Sequence, residues 1–381
     1  MRATFELNHL SGPMPGPAPT RAPLALHRVL PGHRATPLID APRLAGELNL
    51  GRVWLKDETE RLGLPSFKAM GASWAAIRAL SALAEEDLAA LGSLEAIAER
   101  MARLRPLTLA AATDGNHGRA LARIAAMLGL DARIFVPAGM APARIEAIAG
   151  EGAEVVRVDG SYDDAVARSA TAAGPGCLVV SDTSWPGYET IPHDAIDGYS
   201  TILWEIADEL EGRGEAWPQL VLVQLGVGAF GAAVIRHVRH EHGQSSRIVG
   251  VEPLGADCVR ASLAAGRVVT TQTTGTIMSG LDAGTPSAVA WPYVAAGLDA
   301  LLAIDDSVAV DGIRRLASVG VIAGECAGAA VGALAHLASD PSAREALSID
   351  GNTNVLLFLT EGATDRAAID RILAGAKEQP A

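Results

Sequence analysis

One lysine lies where a lysine is hard to accommodate. In the segment Pro-Ser-Phe-Lys-Ala-Met-Gly (65–71), Lys68 is the only charged residue, at the predicted start of a helix. Burial penalises an ammonium, and the positive end of the helix dipole disfavours it further. A neutral amine tolerates such a place, is nucleophilic and forms Schiff bases with aldehydes. We therefore predict that Lys68 binds an aldehyde covalently; the alternative is a lysine whose ammonium reaches solvent from a buried stem.

A glycine-rich turn follows a predicted strand later in the chain. Residues 226–231 read Gly-Val-Gly-Ala-Phe-Gly and open a predicted helix. Backbone N–H groups at such a helix start bind phosphate, which makes Gly226, Val227, Gly228 and Ala229 a candidate phosphate cradle. Tight packing of the turn would explain the same glycines. The motif lacks the Lys-Ser/Thr of a P-loop, and the acidic residue of a dinucleotide site is absent from its usual place.

Polar residues follow three other predicted strands. Asp114 and Asn116 belong to the turn Asp-Gly-Asn-His-Gly (114–118), Asp182 follows a strand, and Thr360 follows the last strand. Ligands of open α/β sheets bind beyond the carboxyl ends of strands, so each of these residues is a candidate for binding or catalysis. Turn and cap formation explains single residues of these types, but not the density of polar side chains at 114–118.

Short apolar strands alternate with amphipathic helices and position these residues. Many strands are apolar on consecutive positions, which is typical of strands covered by helices on both faces. The predicted strands are 52–58, 108–113, 132–138, 153–160, 177–182, 220–226, 247–253, 300–306 and 354–362. We predict an α/β fold with two lobes and parallel or mostly parallel sheets flanked by helices. A large domain is expected from 1–71 and 186–381, and a small domain from 72–185.

Composition excludes several classes of protein. The 381 residues are 49% hydrophobic and carry a net charge of −13 without a cluster of Lys or Arg, so no nucleic-acid partner is expected. No run is apolar enough for a membrane span, and the N-terminus does not read as a secretion signal. The three cysteines are too far apart for a zinc site or a disulfide framework. We expect a cytoplasmic protein with no membrane partner and no metal.

An aldehyde-binding lysine and a separate phosphate cradle describe pyridoxal phosphate (PLP). The segments "SFKAMGA", "TDGNHGRALA", "GVGAFGAAV", "VEP" and "TEGATD" resemble, in this order, the fold-type-II PLP enzymes related to tryptophan synthase β. Within that group the chain most resembles the diaminopropionate ammonia-lyase family, from residue 35 to the end. The segments that carry this resemblance are "SDTSWPGYETIP", "GYSTI", "TIMSGLDAGTPS" and "AGECAGAAVGAL".

The resemblance implies which residues hold the cofactor. Lys68 would hold the PLP aldehyde, with Phe67 next to it, and Asn116 would hydrogen-bond the ring hydroxyl. The phosphate would lie against Gly226–Ala229. The hydroxyl of Thr360 would meet the pyridine nitrogen, which leaves that nitrogen largely unprotonated and suits elimination better than transamination.

The resemblance also implies the reaction, an α,β-elimination of 2,3-diaminopropionate to pyruvate and two ammonia by a homodimer. Asp114 and Asp182 would be the acids of the site, where two carboxylates can bind the second ammonium of this substrate. Asp182 would take the α-proton of the D-isomer, and Lys68 that of the L-isomer.

Three alternatives stay open at this point. The first is a serine/threonine dehydratase-like β-eliminating PLP enzyme. The second is a binding protein built on a degenerate enzyme fold, which the full set of matching residues disfavours. The third is a nucleotide-dependent oxidoreductase, which would leave Lys68 unexplained.

Overall fold

Two compact units make up the chain in the computed structural model, which describes residues 2–113 and 115–375. Unit 1 comprises the described residues of Met1–Pro19, Ala35–Glu60 and Ile202–Ala381, and unit 2 those of Thr20–Arg34 and Arg61–Thr201. The predicted division into 1–71 plus 186–381 and 72–185 stays a prediction.

Strands and helices alternate along the chain. The strands are β1 (Ala3–Leu7), β2 (Leu38–Asp40), β3 (Val53–Asp57), β4 (Thr108–Ala112), β5 (Asp131–Pro137), β6 (Glu154–Val158), β7 (Cys177–Val179), β8 (Leu220–Gln224), β9 (Arg247–Pro253), β10 (Ala300–Ile304) and β11 (Val355–Leu359). The helices are α1 (Ala22–His27), α2 (Pro42–Glu47), α3 (Lys68–Ala84), α4 (Leu94–Met101), α5 (Asn116–Leu128), α6 (Pro142–Ala149), α7 (Tyr162–Ala170), α8 (Thr190–Arg213), α9 (Ala229–His242), α10 (Cys258–Ala265), α11 (Trp291–Gly297), α12 (Asp306–Ser318), α13 (Glu325–Ser339), α14 (Pro341–Leu347) and α15 (Arg366–Leu373). Among the helices that the structure describes, none combines the length and the apolar character needed to cross a bilayer.

Unit 1 is built on a seven-stranded sheet in the order β1-β10-β9-β8-β11-β3-β2. The five inner strands run parallel, and the two edge strands are antiparallel to their neighbours. Every residue of β8 and β11 is buried, as expected for strands that are covered on both faces. The prediction of an α/β fold with mostly parallel sheets is confirmed.

Unit 2 contains a parallel four-stranded sheet in the order β6-β5-β4-β7. Strands β4 and β7 are direct neighbours, with Thr108 paired to Cys177 and Ala110 to Val179. Because both strands run in the same direction, the residues that follow them emerge at the same edge of the sheet. This pairing brings residues 115–118 and Asp182 to one place.

A fully buried ion pair stabilises the edge of the unit 1 sheet. The Nζ atom of Lys56 lies 2.9 Å from Oε2 of Glu205, and both side chains are buried. Nζ also donates to the carbonyl of Thr36 at 2.7 Å. A buried ion pair is costly to break from one side, because the remaining charge then has no partner.

Replacing Lys56 by methionine is therefore expected to destabilise the protein by about 3 to 5 kcal/mol. The matched control is the double variant Lys56→Met/Glu205→Met, which removes both charges and is expected to recover most of this loss. Urea unfolding followed by circular dichroism measures both. If the free energy of unfolding of Lys56→Met lay within about 1 kcal/mol of the wild-type value, the stabilising role of this ion pair would be contradicted.

Candidate active site

Lys68 is the first residue of α3, as the sequence predicted. The preceding residue, Phe67, already has helical backbone angles, and no side chain caps this helix start. The Phe67 ring packs against the ring of Tyr199 on α8, with 5.0 Å between the ring centroids. Gly71 permits this approach, since a Cβ atom there would overlap the Tyr199 ring. The lysine thus projects from a helix start that is fixed by aromatic packing.

The ammonium of Lys68 is paired with Asp182. The distance from Nζ to Oδ2 is 2.6 Å, and the two side chains are 17% and 4% exposed. The two residues are 114 positions apart in the sequence, so the pair depends on the fold and could not be read from the sequence. It brings together two residues that sequence analysis had singled out separately.

Asp182 carries a negative charge at neutral pH. Burial alone would raise the pKa of its carboxyl group, but electrostatic interactions with His117 and Lys68 and the hydrogen bond from Lys68 outweigh burial and lower the pKa to about 2. A lysine facing a carboxylate of such low pKa is held as an ammonium. The resting pair is therefore an ion pair, and the nucleophilic form of Lys68 requires the loss of a proton.

Tyr188 anchors the backbone that carries Asp182. Its hydroxyl accepts a hydrogen bond from the Ser181 N–H at 2.9 Å and donates one to the Val179 carbonyl at 2.8 Å. Its ring stacks on Trp185, with centroids 4.1 Å apart and planes 9° apart. The loop that follows β7 is thereby closed on itself, which restricts the position of the carboxylate.

His117 contacts Asp182 from the other side. Its Nε2 lies 2.8 Å from the Val180 carbonyl oxygen, and its Nδ1 lies 3.8 Å from Asp182 Oδ2. His117 belongs to the 114–118 turn, and its place in the sequence assigns it no role. The sequence signal that could have pointed to His117 is its position inside a turn already crowded with polar residues.

Of the other two predicted residues of this turn, Asn116 and Asp114, the structure describes only Asn116. Asn116 is the first residue of α5 and is half-buried. Asp114 lies outside the described residues. The predicted roles of both stay predictions.

In unit 1, the predicted phosphate cradle forms a strand–turn–helix. Gly226, Val227 and Gly228 connect β8 to α9, which begins at Ala229. Gly228 has φ of +94°, which L-residues rarely adopt, and a Cβ on Gly226 would lie 3.0 Å from the Gly280 carbonyl oxygen. The first N–H groups of α9 have no partner within the helix. A glycine-lined helix start of this kind can bind phosphate.

Also in unit 1, the hydroxyl of Thr360 follows β11 and has no hydrogen-bond partner within the described residues, although it is buried. A buried hydroxyl without a partner costs free energy, and a bound molecule that hydrogen-bonds to it would offset this cost. A ring nitrogen that accepts a hydrogen bond would satisfy it.

Each unit, taken by itself, contains residue types that PLP requires. Unit 2 offers an amine at a buried helix start, and unit 1 offers an anion cradle and a buried hydroxyl without a partner. An aldehyde, a phosphate and a pyridine nitrogen are the complementary groups of PLP. The residues therefore fit this cofactor.

Comparison with known proteins supports the same assignment. Residues 29–361 match the model of the pyridoxal-phosphate dependent enzyme family. The chain is 34% identical to the diaminopropionate ammonia-lyase of Salmonella typhimurium over 357 residues, which cover 90% of this chain and 88% of that protein.

Solved structures agree with this match. The fold superimposes on the Escherichia coli diaminopropionate ammonia lyase in complex with an aminoacrylate-PLP azomethine reaction intermediate, with a TM-score of 0.89, 32% identity, and 98% and 97% of the two chains covered. The same enzyme in complex with D-serine gives a TM-score of 0.90 at 30% identity, with the same coverage. The chain belongs to the diaminopropionate ammonia-lyase family of pyridoxal-phosphate-dependent enzymes.

Proposed function

We propose that this enzyme eliminates both amino groups of 2,3-diaminopropionate as ammonia and releases pyruvate. The observation that carries the proposal is the Lys68–Asp182 pair, at 2.6 Å, in a chain of this family. When bound, PLP supplies an electron sink that makes the α-proton of an amino acid acidic. The protein must then anchor the cofactor, bind the substrate and move protons.

Lys68 and Asp182 are the groups that move protons in this proposal. Lys68 would hold the cofactor through its aldehyde carbon, and its amine, when free, would be a base for the α-proton of the L-isomer. Asp182, ionised at neutral pH, is the base for the D-isomer and an anionic partner for the second ammonium of the substrate. A serine hydroxyl offers no such charge, so the carboxylate favours a diamino acid over a hydroxy amino acid. Asp114 is proposed as the second acid.

The remaining cofactor contacts are proposed from the same match. The N–H groups of Gly226, Val227, Gly228 and Ala229 bind the phosphate, since the dipole of α9 favours an anion there. The other proposed contacts are Thr360 to the pyridine nitrogen, Asn116 to the ring hydroxyl, and Phe67 against the cofactor next to Lys68.

Replacing Thr360 by valine is expected to weaken PLP binding about 5- to 10-fold, because one hydrogen bond is lost. The cofactor-free variant is expected to be at least as stable as the wild type, since a buried hydroxyl without a partner is removed. Fluorescence titration with PLP and a thermal melt of the apo-protein measure the two effects. Thr353→Val is the matched control, because that hydroxyl pairs with Asp350 and should leave PLP binding unchanged. Wild-type PLP affinity in Thr360→Val would contradict the contact.

The rival reading is a serine/threonine dehydratase-like enzyme, and the comparisons favour diaminopropionate over it. Two assays separate these activities. One measures pyruvate release from D- and L-diaminopropionate and from D- and L-serine, and the other measures 2-oxobutyrate release from threonine. We expect the highest kcat/KM for a diaminopropionate isomer. A protein that deaminates serine or threonine but ignores both diaminopropionate isomers would reverse the assignment.

Two properties of the whole protein complete the proposal. Cys177, Cys258 and Cys326 are all free thiols, which supports a reducing cytoplasm as the place of action. A homodimer is proposed from the family resemblance. Sedimentation equilibrium of the holoenzyme tests it, and a monomer at micromolar concentration would contradict it.

A further inference from the structure

The histidine of the 114–118 turn has no role in the proposed reaction, yet its surroundings are specific. His117 is almost completely buried. Its Nε2 lies 2.8 Å from the Val180 carbonyl oxygen, which can only accept, so Nε2 carries a hydrogen in either protonation state. Its Nδ1 makes no hydrogen bond within the part of the chain that the structure describes. Nδ1 is therefore the atom of this ring that can gain a proton.

A single carboxylate oxygen lies between this nitrogen and the amine of Lys68. Oδ2 of Asp182 is 2.6 Å from Lys68 Nζ and 3.8 Å from His117 Nδ1. Lys68 must lose a proton before it can attack an aldehyde. Asp182 alone is a poor final acceptor, because both neighbours hold its pKa low, at about 2. The geometry offers His117 as the final acceptor.

We propose that His117 takes up, through Asp182, the proton that Lys68 must lose to become reactive. One N–H bond of the Lys68 ammonium breaks as an O–H bond forms at Oδ2, and this O–H bond breaks as an N–H bond forms at His117 Nδ1. The second transfer requires a short approach, because 3.8 Å is longer than a hydrogen bond.

The charge balance favours such a relay. The transfer converts an ammonium, a carboxylate and an imidazole that is free to accept a proton into an amine, a carboxylate and an imidazolium. The total charge is zero in both states, so the buried site never holds an uncompensated charge, which would be costly. His117 acts through Asp182 and is a positioning residue. The inference rests on the proposed function only in taking Lys68 as the reactive amine.

Lysine reactivity in the cofactor-free, full-length protein tests the relay without an activity assay. The chain has three lysines, Lys56, Lys68 and Lys377, so the rate at each can be followed by peptide mass spectrometry. Only a neutral amine reacts with formaldehyde, and cyanoborohydride traps the product. We expect His117→Gln to slow methylation of Lys68 about tenfold at neutral pH, the effect of one pKa unit, and to leave Lys377 unchanged. Glutamine can still donate to the carbonyl that His117 contacts but cannot carry the extra proton.

Two further variants make the result decisive. His27→Gln changes another buried histidine of unit 2, bonded to Thr201 at 2.7 Å, and should leave the Lys68 rate unchanged. His117→Ala should slow Lys68, and added imidazole should restore the rate. This rescue decides the matter if a thermal melt shows that His117→Gln has lost its fold.

The methylation rate of Lys68 would change in the opposite direction if His117 had a purely structural role. If His117 only supported the loop, its loss would loosen the Lys68–Asp182 pair, and methylation of Lys68 would become faster. An unchanged or faster rate in a folded His117→Gln variant, or a His117→Ala variant that ignores imidazole, would overturn the relay. A failure of the proposed function would be recognised by a different result. Borohydride treatment of the wild-type holoenzyme would then trap no PLP on Lys68.

Discussion

Pyruvate release from either isomer of diaminopropionate is expected to fall below about one ten-thousandth of the wild-type rate when Lys68 is replaced by alanine. The variant loses both the covalent anchor of the cofactor and a base. Asp182, which remains, cannot replace the amine in either function. The visible absorption band of the holoenzyme should disappear as well. A coupled lactate dehydrogenase assay and the absorption spectrum of the purified variant measure the two effects.

Lys68→Arg is the matched control for charge and packing. Arginine can keep an ion pair with Asp182, but its guanidinium does not lose a proton near neutral pH and cannot bind an aldehyde in this way. We expect wild-type thermal stability and no activity. Turnover above about 1% of wild type in either variant would show that Lys68 is not the anchor.

The second large effect is expected at Asp182. Replacement by asparagine keeps the shape but removes the charge that pairs with Lys68 at 2.6 Å. We expect kcat for the D-isomer to fall by about 10²- to 10⁴-fold, the usual contribution of a positioned base. For the L-isomer, KM should rise more than kcat falls, because Lys68 remains as its base while the anionic partner of the substrate is lost.

Asp194→Asn is the matched control for this effect. Asp194 is another mostly buried aspartate of unit 2, 3.9 Å from a guanidinium nitrogen of Arg78, and its loss should leave kcat for both isomers unchanged. Equal losses in Asp194→Asn and Asp182→Asn would indicate a general effect of removing buried charge. Equal kcat losses for the two isomers in Asp182→Asn would contradict the division of roles between Asp182 and Lys68.

Much of the fold could be predicted because the inner strands carry a local signal. All nine predicted strands are present, since consecutive apolar residues such as Val355–Leu359 are typical of strands buried on both faces. The edge strands β1 and β2 were missed. Each is short, and the partners of β1 lie near residue 300, so its pairing is decided by contacts remote in sequence.

Sequence positions alone also located most candidate residues, because turns at the carboxyl ends of strands carry function in this type of fold. Lys68 stood out by its misfit at an apolar helix start. Its pairing with Asp182 could not be predicted, since the two residues are 114 positions apart in the sequence and meet only in the folded protein. The importance of His117 was hidden for the same reason, because only the folded sheet brings Nδ1 toward the carboxylate.

Rapid mixing of the purified holoenzyme with D- and with L-diaminopropionate, followed by visible absorption and pyruvate release, tests the proposed activity. We expect the cofactor band to change within one turnover for at least one isomer, and pyruvate to accumulate in proportion to substrate consumed, with two ammonia per pyruvate. An unchanged spectrum and no pyruvate with either isomer, from protein that carries PLP on Lys68, would show that diaminopropionate is not the substrate.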